Sequence, residues 1–96
     1  MTRYEWDENK NRANKAKHGL SFETAILVFQ DPYVLSEVER VVDGEERWQS
    51  IGLIAGTLIV LVIHTWHVGG KPGEIIRVIS ARKATSKEQH CYENLL

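Results

Sequence analysis

YVLSEVERVVDGEERWQSIGLIAGTLIVLVIHTWH, residues 33–67, carries the fold. It begins just after Pro32, where the spacing of apolar residues changes from helical to extended. Segments 33–42, 45–54 and 57–67 are rich in Val, Ile, Leu, Trp and Tyr, and a similar segment follows at 74–82. Asp43-Gly44 and Ala55-Gly56 separate the first three, and Gly69-Gly70-Lys71-Pro72-Gly73 precedes the fourth. Asp-Gly between apolar runs is a strong hairpin signal, and Gly-Gly with Pro-Gly marks a longer connection. Parallel neighbours would need much longer crossovers, so the four segments are expected to form an antiparallel meander in sequence order. TLIVLVIHTWH is apolar on both faces as far as Ile63 and belongs in the centre of the sheet.

Upstream, residues 2–6 read as a short edge strand, with Tyr4 and Trp6 pointing one way. Asp7 can cap a helix over 8–17 whose thin apolar stripe includes Ala13 and Ala16, and His18-Gly19 ends it. Ser21 opens a second helix over 22–30, with Phe22, Ala25, Ile26 and Phe29 at helical spacing, stopped by Asp31-Pro32. Downstream, Thr85 and Glu88 make a capping box for a last helix carrying Tyr92, Leu95 and Leu96. The expected fold is α+β, β-α-α-β-β-β-β-α, with a mostly antiparallel sheet packed against helices in one domain over residues 1–96.

Composition agrees with a packed globule: 43% of the 96 residues are hydrophobic and 26% charged. The longest apolar run, residues 58–63, falls far short of the roughly 20 residues of a membrane-spanning helix, and no signal-peptide pattern opens the chain. A single cysteine, Cys91, excludes an internal disulfide and a thiolate cluster for zinc, and reads as a small buried or half-buried residue. The expectation is a cytoplasmic protein without a membrane partner. Net charge is −1, yet it is unevenly spread. Residues 1–20 and 51–96 each carry five bases against three acids, whereas 21–50 carry two bases against seven acids. The ends can form a cationic patch if they meet.

Few side chains here carry chemistry. Arg77 interrupts the apolar run IIRVI, so it must face solvent, pair with an acid such as Glu46, or serve an anion site. Arg82 lies five positions on, which under strict alternation puts it on the opposite face; only a bulge or the strand's end would bring both to one side. Arg47 shares a face with Gln49 and can join Arg77 if both lie on the same side. His64 reads as a rim histidine and His67 faces the other way, so the two do not share a metal. His18 reads as a helix cap. Gly69-Gly70-Lys71 lacks the Ser or Thr and the following helix of a phosphate loop. No metal or cofactor is expected.

EWDENK at 5–10, Asn14, KHG-x-SFE from Lys17 to Glu23, and Val28-Phe29 with Asp31-Pro32 form one set of signals. EER at 45–47, Gly52, IHT at 63–65 and VISARKAT at 78–85, followed by Glu88 and Tyr92, form another. In this order and over nearly the whole chain, they resemble the BrnT family of toxins from bacterial type II toxin–antitoxin systems. The resemblance implies a RelE-like fold and a ribonuclease acting on RNA. It also implies a cognate antitoxin, BrnA-like and DNA-binding, through which alone DNA is reached.

A metal-free ribonuclease needs a proton acceptor, a proton donor and cations for the phosphate, since RNA brings its own 2′-OH nucleophile. With the resemblance, this chemistry points to Arg77 and Arg82 on phosphate and Arg47 as a third or orienting cation. His64 is the expected proton-transfer group, and Lys83 and Tyr92 are the expected RNA contacts. The alternative is a non-catalytic protein-binding module in a toxin–antitoxin-like or repressor complex.

Overall fold

The computed structural model describes residues 1–69 and 73–94. The Gly70-Lys71-Pro72 part of the connection before the fourth segment, and Leu95 and Leu96, lie outside the described residues. Strand β1 (Thr2–Glu5) leads into helix α1 (Glu8–His18), a one-turn helix α2 (Phe22–Ala25) and a 3₁₀ turn (Ile26–Gln30). Strands β2 (Leu35–Val42), β3 (Glu45–Ile54), β4 (Leu58–Gly69) and β5 (Gly73–Lys83) follow, then helix α3 (Ser86–Asn94). They build one mixed five-stranded sheet in the order β1-β5-β4-β3-β2. The β2-to-β5 meander is antiparallel, β4 is central, and β1 adds to the free edge of β5 in parallel.

The tight turns follow from their residues. Asp43 and Gly44 take φ of 50° and 79°, and Ala55 and Gly56 take 52° and 72°. Two successive left-handed residues match the twist of antiparallel strands. Asp7 accepts from the N–H groups of Asn9 and Lys10 to start α1, and Gly19 ends it at φ 71°. In α3, Thr85 Oγ1 accepts from Glu88 N–H while Glu88 Oε1 accepts from Thr85 N–H, the reciprocal pair of a capping box.

Two expectations are corrected here. The segment after Ser21 is α-helical only to Ala25 and then tightens to 3₁₀. Positions three apart eclipse in a 3₁₀ turn, which aligns Ile26 and Phe29 against the same core. Second, α1 docks through asparagines: Ala13 and Ala16 are exposed, while Asn11 and Asn14 are buried. Asn14 donates to the carbonyls of Leu20 and Ala81 at 2.8 Å each and accepts from Ala81 N–H. Asn11 accepts from Phe22 N–H and donates to Glu8 and Glu23. Backbone groups that the sheet and α2 leave free thus hold the helix in place.

Each face of the sheet has its own core. Phe22, Ala25 and Val28 pack on Val60, Val62, Val78 and Ala81 on the face covered by α1 and α2. On the other face, Tyr92 of α3 packs on Ile51, Ile59, Leu61 and Ala84. Beyond α3 that second face is open.

Candidate functional site

Two one-residue slips in the strands decide what the open face presents. In β5, Ser80 is opposite Ile63 while Val78 is opposite His64, so Ile79 is an extra residue. In β2, Val38 is opposite Trp48 while Arg40 is opposite Arg47, so Glu39 is extra. A bulge reverses the facing of every residue beyond it. Arg82, which strict alternation would send to the helix-covered face, therefore turns to the open side opposite Leu61. Arg40 turns the same way and faces Arg47. Arg77 lies opposite Thr65 on β4 and Glu5 on β1, also on the open side.

Arg40, Arg47, Arg77 and Arg82 thus turn to the open face, with Arg3 of β1 beside them sharing Glu5 with Arg77, and a carboxylate attends each. The Arg40 guanidinium is 2.7 Å from Glu39, and that of Arg82 forks into Glu88 at 2.7 and 3.0 Å. The other two pairs are looser: Arg47 is 3.5 Å from Glu45, and Arg77 is 3.8 Å from Glu5 rather than paired with Glu46. Between Arg40, Arg47 and Arg82 lies an open basin of about 380 Å³, lined also by Gln49, Leu61 and Ile63. Arg47 Nε is buried with no hydrogen-bond acceptor. A buried donor left unpaired is costly.

The structure moves two expected residues away from this face. His64 is not at the rim: it is 0% exposed, on the helix side, edge-on to Phe29. Its Nε2 is 2.7 Å from Ser50 Oγ and its Nδ1 is 3.1 Å from the Thr65 carbonyl. Burial pushes its pKa below the usual histidine value, partly opposed by the carbonyl. A neutral ring enclosed in this way positions β4 and does not meet a ligand on the open face. Tyr92 is likewise 2% exposed, and its hydroxyl donates to Asp31. Burial, then the Asp31 carboxylate, pushes its pKa up to about 12. Its ring packs α3 on the sheet and has no free face for a base. Lys83 is exposed at the end of β5, but it lies opposite Val60 and so turns to the helix-covered side rather than beside Arg82. Cys91 is exposed rather than buried.

Sequence reading did not single out Arg40 or Glu37, and it named Gln49 and His67 without assigning them to the site. Arg40 depends on the Glu39 bulge, for which the run SEVERV carries no glycine or proline signal. Gln49 Nε2 donates to Glu37 Oε1 at 2.7 Å across the strands. His67 is the exposed imidazole, with Nε2 3.3 Å from the Glu45 carboxylate that Arg47 also approaches. Its alternation from Thr65 was the available signal. Among the described residues, no three His, Cys, Asp or Glu side chains group closely enough to hold a metal ion.

The Arg82 fork has a pH signature. Arg82 first, together with the Thr85 N–H, lowers the Glu88 pKa from 4.5 to about 2 against its burial. A carboxylate depressed in the fold contributes stability that is present above its unfolded pKa and is lost as pH falls through the folded one. The melting temperature is therefore expected to fall more steeply for the native chain than for Glu88→Gln between pH 4.5 and about 2. Parallel melting curves for the two proteins across that interval would count against the fork.

Comparison with known proteins bears on what such a face does. The family model described as the ribonuclease toxin BrnT of type II toxin–antitoxin systems matches residues 6–88. The 1.1 Å crystal structure of the Brucella abortus ribonuclease toxin, BrnT, is similar, with a TM-score of 0.62 and 33% sequence identity. That similarity covers 90% of this chain and 99% of the Brucella chain. No curated protein matches.

Proposed function

Because the chain belongs to the BrnT family of ribonuclease toxins of type II toxin–antitoxin systems, we propose that it cleaves RNA without a metal ion. In this reading the 2′-oxygen attacks the adjacent phosphorus and the 5′-oxygen leaves. The observation that supports it is the Ile79 bulge, which turns Arg82 to the side that Arg77 and Arg47 face.

Pentacoordinate phosphorus concentrates negative charge on its non-bridging oxygens, and a guanidinium fork matches those oxygens with parallel N–H donors. Arg77 is the freest of the four arginines and contacts the scissile phosphate, with the remaining N–H groups of Arg82 beside it. Arg47 orients the nucleotide from the basin, and Lys83, which turns to the other side of β5, reaches a phosphate only where the RNA passes round the end of that strand. His67 replaces His64 as the proton acceptor for the 2′-OH, because an imidazole must be within hydrogen-bond reach of the proton it takes. A proton donor must also serve the departing 5′-oxygen. His64 supports the strand from beneath.

The whole of residues 1–96 works as one toxin-like unit with a RelE-like fold in the cytoplasm. A BrnA-like antitoxin neutralises it, and DNA is met only through that partner.

Purified protein incubated with RNA in EDTA is expected to yield fragments ending in 2′,3′-cyclic phosphate and 5′-hydroxyl. Cleavage abolished by EDTA and restored by magnesium or zinc would overturn metal independence. Ends carrying 3′-hydroxyl and 5′-phosphate would overturn attack by the 2′-oxygen. Intact RNA under all conditions would favour a non-catalytic binding module.

A further inference from the structure

The helices cover only part of their face of the sheet. Phe29, near the end of the 3₁₀ turn, stacks on Tyr4 and meets His64 edge-on. Beyond that line Trp48 and Trp66 lie half-buried against each other, with ring centres 5.0 Å apart. Val38 is opposite Trp48, Val41 opposite Glu46 and Val68 opposite Glu74, so by alternation all three valines share the tryptophans' face. All three are exposed, Val68 at 78%. Apolar side chains scattered singly over a surface need no explanation, but three valines around two tryptophans make a patch of the kind that docks a partner.

Charge is sorted between the two faces. Every strand arginine turns to the open face. Among the described strand residues beyond Phe29 that share the tryptophans' face, the charged side chains are Glu46 and Glu74, both acidic. A second copy of this chain is a poor occupant, because a two-fold contact lays the patch on itself and sets those carboxylates against each other. An added strand is disfavoured too, since the free edge β2 carries the Glu39 bulge and the charges of Glu37, Glu39 and Arg40. A helix fits. Strands stand about 4.8 Å apart and a helix rises about 5.4 Å per turn, so a helix crossing from β2 to β4 sets one apolar residue per turn over each strand.

We propose that a helix of the cognate antitoxin docks on this patch, apolar where it meets Val38, Trp48 and Val68 and flanked by Lys or Arg that meet Glu46 and Glu74. The inference rests on the toxin–antitoxin reading for the partner and not on RNA cleavage. The helix anchors the antitoxin on the face turned away from the arginines, so covering them falls to another part of that chain.

The test titrates purified cognate antitoxin into the full chain and its variants, with binding read by calorimetry. Val41→Lys and Val68→Lys are expected to weaken binding about tenfold each, since each removes an apolar contact and sets a cation before the partner's own. Val68→Glu should weaken it less than Val68→Lys. Native binding should weaken as salt rises, and Glu46→Lys should flatten that dependence. All four variants should melt close to the native chain, because the replaced side chains are exposed. Binding unchanged in both lysine variants, or weakened more by Val68→Glu than by Val68→Lys, overturns the inference and leaves the antitoxin reading standing. An antitoxin that does not bind the native chain overturns both. A native chain that sediments alone as a dimer, and as a monomer with Val68→Lys, gives the patch to a second copy and also overturns the inference. Because binding is read directly, the result holds whether or not the chain cuts RNA.

Discussion

Arg77→Ala is expected to slow RNA cleavage by on the order of 10²-fold, the usual consequence of removing one fixed donor from a developing oxyanion. It should leave the fold almost untouched. The Arg77 side chain is 47% exposed, and its single acidic neighbour, Glu5, stands 3.8 Å away. Such a surface pair contributes little to stability, because solvent screens it and ordering two long side chains opposes it. Deleting an exposed charge rarely changes stability by more than about 0.5 kcal/mol. Arg77→Lys should recover only part of the rate, since a point charge replaces a two-pronged donor. Single-turnover cleavage rates and thermal melts on the same two variants decide the matter. Unchanged cleavage with a lowered melting temperature would mean that Arg77 serves Glu5 and not the phosphate.

The same arginine illustrates what can be read from a sequence and what cannot. Its charge inside IIRVI is visible at once, as are Arg47 and Arg82. Their shared face is not. Alternation is reliable only while the register holds, and ISAR carries neither glycine nor proline to announce the extra residue at Ile79. The turns were legible because each is written in two adjacent residues, Asp43-Gly44 and Ala55-Gly56, whose left-handed φ values are a local demand. The Thr85–Glu88 box is local in the same sense. By contrast, β1 finds β5 across some 70 positions, pairing Thr2 with Glu74 through Glu5 with Arg77, and no short-range signal specifies that contact.

Polar residues misled for a different reason. Asn11 and Asn14 look like surface positions, yet both are buried because their amides satisfy backbone groups of Phe22, Leu20 and Ala81. His64 and Tyr92 have the chemistry of a ribonuclease site, but each is enclosed and held by a specific partner, Ser50 and Asp31. Residue type reveals what a side chain can do; whether solvent or substrate reaches it depends on packing that only the assembled sheet supplies. Asp31 shows how much can converge on one such group. Burial alone would raise its pKa, but bonds from Tyr92 and from the N–H groups of Leu53 and Tyr33 outweigh that and hold it below the usual range. This one carboxylate thereby ties the end of the 3₁₀ turn to β3 and to α3.

That tie underlies the largest expected stability effect, that of Gly52→Ala. A Cβ at position 52 would stand 2.8 Å from Val28 Cβ and 2.9 Å from the Val28 carbonyl oxygen. Val28 is fully buried, and its carbonyl accepts from Asp31 N–H at 3.1 Å. Asp31 in turn accepts from Leu53 N–H at 2.8 Å, one residue from the clash, so the 3₁₀ turn cannot retreat from β3 without breaking that bond. Overpacking of this kind costs about 3 kcal/mol when backbone must move. For a domain of this size that lowers the melting temperature by roughly 12–24 °C. Gly56→Ala is the control, because Gly56 has φ 72° with nothing within 4 Å of the added carbon. There the cost is only left-handed strain of about 1 kcal/mol, or roughly 4–8 °C. Adding Val28→Ala to Gly52→Ala should not restore stability, since it removes the outer methyls but keeps the Cβ and carbonyl that clash. Equal melting shifts for the two glycine variants would mean that the close approach at position 52 costs nothing beyond ordinary strain, and rescue by Val28→Ala would mean that side-chain crowding and not backbone sets the requirement for glycine there.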